Sequence, residues 1–115
     1  MTTKIYHNPR CSKSRATLAL LEERGIQPEV VEYLKTPPNE KRLRALLKKL
    51  GMRPIDLIRK NEAEWKESGL DAAASDDELI ALMVRHPILI ERPIVEVGQR
   101  AKIGRPPEQV LELIE

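Results

Sequence analysis

The sequence predicts an α/β fold: a mixed four-stranded sheet flanked by helices, with a helical insertion between its two halves. Two observations carry that prediction. The predicted elements run β-α-β, then a block of helices, then β-β-α. The opening β-α-β implies a parallel strand pair joined by a crossover helix, and the closing strands, joined by a two-residue loop, supply antiparallel partners. At 115 residues the chain fits one domain, 1–115, with the helical insertion at about 36–88.

Each element has a local reason. Lys4-Ile5-Tyr6-His7 reads as the first strand, and Asn8-Pro9 as the turn that ends it. A helix starts near Cys11, carries Leu18 and Leu21 inward, reaches Arg24 and stops at Gly25. Glu29 to Leu34, rich in Val and Tyr, is the second strand, and Pro37-Pro38 breaks the chain after it. Asn39 caps the next helix, whose Leu43, Leu46, Leu47 and Leu50 fall at the i, i+3, i+4, i+7 spacing of one apolar face. Gly51 ends that helix. Pro54 opens a short helical piece containing Ile55, Leu57, Ile58 and Arg59, and a polar helix spans Glu62 to Ser68.

Ser75 and Glu78 have the spacing of a capping box for a helix through Leu79, Leu82, Met83 and His86, which Pro87 terminates. Pro93 to Val97 and Arg100 to Ile103 form a hairpin around Gly98-Gln99, a pair suited to a type II′ turn. Gly104-Arg105-Pro106-Pro107 leads into a last amphipathic helix through Val110, Leu111 and Ile114. This order matches the thioredoxin-like plan with a helical insertion.

Composition limits the function. Hydrophobic residues make up 41% and aromatics 3%, with no Phe, so the core is aliphatic. The charged fraction of 33% exceeds the usual quarter or so and implies a salt-rich surface. One cysteine excludes an intramolecular disulfide and any metal or cluster site built from several cysteines of this chain. No apolar run approaches the roughly 18 residues of a membrane span, and the first fifteen residues lack the apolar segment of a secretory leader. The expectation is a cytoplasmic monomer. The net charge is 20 − 18 = +2, yet residues 1–15 and 99–105 contain basic side chains and no acid. Such local clustering suits an anion site better than a nucleic-acid surface, although chance clustering in a basic protein gives the same pattern.

Cys11 is the leading chemical candidate. It follows a strand and a turn and stands where a helix begins, so the helix N-terminus and Arg10, Lys13 and Arg15 favour its thiolate. The competing reading is an inert buried cysteine. Ser14, three residues on, is within reach of the sulfur, and the Cys-x-x-Ser spacing means that any resolving thiol comes from outside. Arg59, Arg92 and Arg105 each stand at a break between elements and offer the planar fork that binds tetrahedral oxyanions. Among eleven arginines, residue chemistry alone does not single out these three. His7 reads either as a strand-end surface residue or as a positive charge near Cys11, and His86 as a residue at a helix C-terminus. No metal-ligand spacing joins them.

The run Tyr6-His7-Asn8-Pro9-Arg10-Cys11-Ser12-Lys13-Ser14-Arg15 resembles the active-site segment of the glutaredoxin-linked arsenate reductases. Tyr33-Leu34, Thr36-Pro37-Pro38, Leu57-Ile58-Arg59-Lys60-Asn61, His86-Pro87-Ile88-Leu89-Ile90, Arg92-Pro93-Ile94-Val95 and Arg105-Pro106 look like further landmarks in family order. Ile103-Gly104-Arg105-Pro106-Pro107-Glu108 is similar to a shorter arsenate-reductase-like group without the C-terminal extension of longer members. The resemblance implies a thioredoxin-like fold, Cys11 as the nucleophile toward arsenate, and Arg59, Arg92 and Arg105 as the residues that hold the oxyanion. It also implies that His7 helps keep the thiol ionised, that Ser14 and Arg15 support the thiolate, and that Pro93 is the cis-proline beside the site. Glutathione would be a co-substrate and glutaredoxin a partner, with no bound cofactor or metal.

Three alternatives accompany that reading. The first is another glutathione-dependent thiol oxidoreductase. The second is an Spx-like regulatory protein, which usually carries a Cys-x-x-Cys switch where this chain has Cys11 and Ser14. The third is a monothiol-glutaredoxin-like protein that holds an iron–sulfur cluster through Cys11, glutathione and a second subunit.

Overall fold

A computed structural model describes residues 2–114. Contacts divide the chain into two compact units, one running to Thr36 and resuming at Arg92, the other Pro37–Glu91.

The first unit holds the sheet. Strand β1 (Thr3–His7) leads into helix α1 (Ser12–Glu23), which crosses over to strand β2 (Glu29–Glu32). β1 and β2 are parallel, with Ile5 opposite Val30. Strand β3 (Ile94–Val97) pairs antiparallel with β1, Ile5 facing Val95, and strand β4 (Arg100–Ile103) pairs antiparallel with β3. The order is β2-β1-β3-β4, the thioredoxin-like mixed sheet that the element order predicts. Being interior, β1 buries Ile5, Tyr6 and His7, whereas edge strand β2 leaves Glu29 and Val30 exposed.

Below the sheet, Ile5, Leu21, Val95, Val110 and Leu113 form an aliphatic core, with Leu18, Ile26 and Val97 packed around it. The hairpin loop is Gly98-Gln99. Gly98 has φ +60° and, among the described residues, no non-glycine residue has positive φ, the pattern of a type II′ turn.

The second unit contains helices α2 (Glu40–Leu50), α3 (Pro54–Leu57), α4 (Ala63–Ser68) and α5 (Asp76–Arg85), then a 3₁₀ turn at Pro87–Leu89. The Asn39 side chain accepts from the Arg42 N–H and starts α2, which buries Leu43, Leu46 and Leu47. Ser75 and Glu78 complete the capping box of α5, which buries Leu79, Ile80, Leu82 and Met83. Among the described residues, no helix is long and apolar enough to cross a membrane.

Four local readings change. β2 stops at Glu32, whose carbonyl accepts the N–H groups of Lys35 and Thr36, both at 2.9 Å, and so turns the chain. Helix α3 ends at Leu57, and Ile58 instead bridges Ile90 in antiparallel fashion. Helix α5 ends at Arg85, leaving His86 as its cap. The last helix, Pro107–Leu113, is 3₁₀ and not α. Its buried residues, Val110 and Leu113, are three apart, and a 3₁₀ helix aligns i with i+3.

Candidate active site

The site is built where β1 ends and β3 begins. Antiparallel register sets Tyr6 opposite Ile94, so the segment that continues past His7 and the segment that precedes Ile94 leave the sheet side by side. The first carries Cys11 and the second carries Arg92 and Pro93. The Arg92–Pro93 and Arg105–Pro106 peptide bonds are both cis.

Asn8 shapes the loop before the cysteine. Its side-chain Oδ1 accepts the Arg10 N–H at 3.0 Å, forming an Asx turn. Its carbonyl accepts the Cys11 N–H at 3.0 Å, and its own N–H donates to Ser14 Oγ at 3.0 Å. Cys11 thereby becomes the N-cap of α1, with extended backbone, and its carbonyl accepts the Arg15 N–H.

The sulfur is partly exposed. Arg105 Nη2 lies 3.4 Å from Sγ, while Arg105 Nε donates to the Arg92 carbonyl at 2.8 Å. Burial is the largest influence on the thiol and pushes it up. The backbone N–H of Ser14, the Arg92 guanidinium, the backbone N–H of Lys13 and the charge of Arg105 together outweigh it, so the thiol lies below its ordinary range. The helix N–H groups and the two arginines thus act on the sulfur together. The arrangement favours a thiolate beside two cations, and the same cations attract an oxyanion to the neighbourhood of the sulfur.

The side chains of His7, Ser14 and Arg15 bond the loop that carries the cysteine. His7 is buried, and its Nδ1 lies 2.7 Å from Ser14 Oγ. Burial is the main reason that its pKa is lowered; Glu32 opposes this and Arg15 adds to it. Its ring is held against Ser14 inside the fold and is not the strand-end surface residue that the sequence also offered. Ser14 is fully buried, and its hydroxyl bonds the loop while its backbone N–H serves the sulfur. Arg15 donates to the Pro9 carbonyl at 2.9 Å and braces the turn.

Arg59 belongs to the second unit. Its N–H donates to the Leu89 carbonyl at 2.7 Å, its Nη1 pairs with Glu91 at 2.7 Å and its Nε with Glu62 at 3.2 Å. Two carboxylates therefore hold it, a feature its sequence context does not announce.

Sequence reasoning passed over Asn8, Thr17 and Gly104. Asn8-Pro9 was legible as a turn, but the three bonds made by Asn8 depend on Ser14 and Cys11 folding back over it.

The model of the ArsC family matches residues 6–113. YfgD, an uncharacterized protein of Escherichia coli strain K12, is 57% identical over 113 residues, covering 96% of this chain and 95% of that protein. An arsenate reductase of Neisseria meningitidis serogroup A is 50% identical over 109 residues, covering 93% of each. The solved structure of an arsenate reductase from Vibrio cholerae superposes with a TM-score of 0.94 at 53% identity and 97% coverage of both chains.

Proposed function

The chain belongs to the ArsC family, and from that premise we propose that it is an arsenate reductase that uses Cys11 as nucleophile, with glutathione and glutaredoxin as reductants. The observation that carries the reading is Arg105 Nη2 at 3.4 Å from a Cys11 sulfur seated at the start of α1. The names of the Neisseria and Vibrio relatives supply the substrate.

The Cys11 thiolate forms a sulfur–arsenic bond, and one arsenate oxygen leaves as water after protonation. Arg92 and Arg105 stabilise the oxyanion, whose charge matches their fixed positive charge. Arg59 is assigned the same role on its motif, Leu57-Ile58-Arg59-Lys60-Asn61. Glutathione then displaces a second oxygen, again as water, to give arsenic bonded to both sulfurs. A glutaredoxin thiolate attacks the glutathione sulfur. The arsenic–glutathione bond breaks, its electron pair stays on arsenic, and arsenic(V) becomes arsenic(III). Water releases arsenite and restores Cys11. The two electrons come from the glutathione and glutaredoxin thiols, so one cysteine per chain suffices.

The test is purified protein with arsenate, glutathione and glutaredoxin, and arsenite quantified by separation of arsenic species. Arsenite should form, and Cys11→Ser should abolish it. Folded protein that forms no arsenite, yet reduces a glutathione mixed disulfide through Cys11, would replace this reading with the general thiol oxidoreductase.

A further inference from the structure

We infer that Gly104 is a positioning residue, whose missing side chain lets α1 seat against the start of β3 so that Arg105 reaches the Cys11 sulfur. The inference rests on the reading of Cys11 as the nucleophile and adds the residue that sets its cation.

Gly104 is buried, and it is not among the glycines with positive φ. Its backbone suits any residue, so the requirement is space. A Cβ built there would overlap Thr17 Oγ1 and lie 2.8 Å from Pro93 Cγ and 3.1 Å from Thr17 Cγ2. Ordinary carbon contacts are roughly 3.5–4.0 Å. Neither neighbour can swing aside freely. Pro93 is a ring, and Thr17 is β-branched, fully buried and tied by Oγ1 to the Lys13 carbonyl at 2.8 Å.

Hydrogen bonds hold the same junction from both sides. The Gly104 N–H donates to the Pro93 carbonyl at 3.0 Å, and Thr17 Oγ1 approaches the Gly104 carbonyl at 3.5 Å. Both arginines that act on the thiol are one residue from this contact. Arg92 precedes Pro93, and Arg105 follows Gly104. A methyl group at 104 therefore pushes Arg105 and Arg92 away from the helix that carries Cys11. The charged side chains acting on the sulfur are these two arginines; the Lys13 and Ser14 N–H groups face it from α1, and His7 faces Ser14.

The experiment is the pH dependence of Cys11 alkylation by iodoacetamide, with folding checked by circular dichroism. It needs neither arsenate nor glutaredoxin, so its outcome is independent of the substrate assignment. Gly104→Ala should move the alkylation midpoint upward and slow alkylation at neutral pH at least about threefold, because less thiolate is present. Thr17→Ala/Gly104→Ala, which removes two of the three close contacts but keeps the one with Pro93, should move the midpoint only part of the way back toward that of Thr17→Ala. A folded Gly104→Ala protein with the wild-type midpoint overturns the proposal. So does a double variant that shows no recovery. If Gly104→Ala does not fold, the double variant is compared with Thr17→Ala: the remaining Pro93 contact predicts a higher midpoint, and equal midpoints overturn the proposal.

Discussion

Replacing Arg105 by Ala is the sharpest perturbation of the proposed chemistry. The guanidinium is anchored at Nε by the Arg92 carbonyl at 2.8 Å and points Nη2 at Cys11 Sγ, 3.4 Å away. Two unit charges at 3.4 Å attract by about 1.2 kcal/mol in bulk water and about 5 kcal/mol at an effective dielectric of 20. Hydrogen bonds to charged groups contribute about 1.5–3 kcal/mol, between those limits, and screening at a partly exposed sulfur favours the lower end. That range corresponds to a loss of roughly 10- to 150-fold in kcat/KM for arsenate. Arg105→Lys keeps the charge but loses the fork, so it should fall between Ala and wild type. The assay is glutaredoxin-coupled arsenate reduction, with exposed Arg42→Ala as the reference. A folded Arg105→Ala enzyme within threefold of wild type, or one no worse than Arg42→Ala, would refute the reasoning.

Two further predictions concern stability. The pKa of buried His7 is lowered on folding, so the unfolded chain takes up the proton first as pH falls. Its contribution is complete above the unfolded value of about 6.5 and is lost as pH falls through that value toward the folded one. Urea midpoints measured from pH 8 to pH 5.5 should decline, and His7→Asn should flatten the decline; an identical slope in the variant rejects the assignment. Ser75→Ala removes a cap that accepts the Glu78 N–H at 3.2 Å. It should cost about 1 kcal/mol, or roughly 4 °C in Tm, read by thermal melts; an unchanged Tm removes the cap from the account.

The features legible in the sequence were those fixed by neighbours a few residues apart. Asn39 capping α2, the Ser75–Glu78 box and the Gly98-Gln99 loop are each decided within four residues. The parallel first pair and the antiparallel closing pair followed from connection rules acting on those elements. The failures have a common cause. Ile58 leaves its helix because Ile90 offers a strand-like partner, and nothing near Ile58 announces that. His7 is buried with Ser14 set against it, which its place at a strand end does not announce. Cys11 was legible from its place after a turn, but Arg92 and Arg105 emerged from eleven arginines only through family resemblance. Gly104 looked like a loop residue because its constraint comes from Thr17 and Pro93, which are remote in sequence.

The Cys11–Arg105 contact joins residues 94 positions apart. Closing so large a loop carries an entropic cost that local helix formation does not, and contacts of this span form slowly. During synthesis the cysteine leaves the ribosome long before its cation exists, and chains grow at only about 5–20 residues per second. For several seconds the nascent thiol thus lacks the arginine neighbours that favour its anion. Full nucleophilicity becomes a property of the finished fold, acquired when the β3–β4 hairpin pairs with β1 and delivers Arg105.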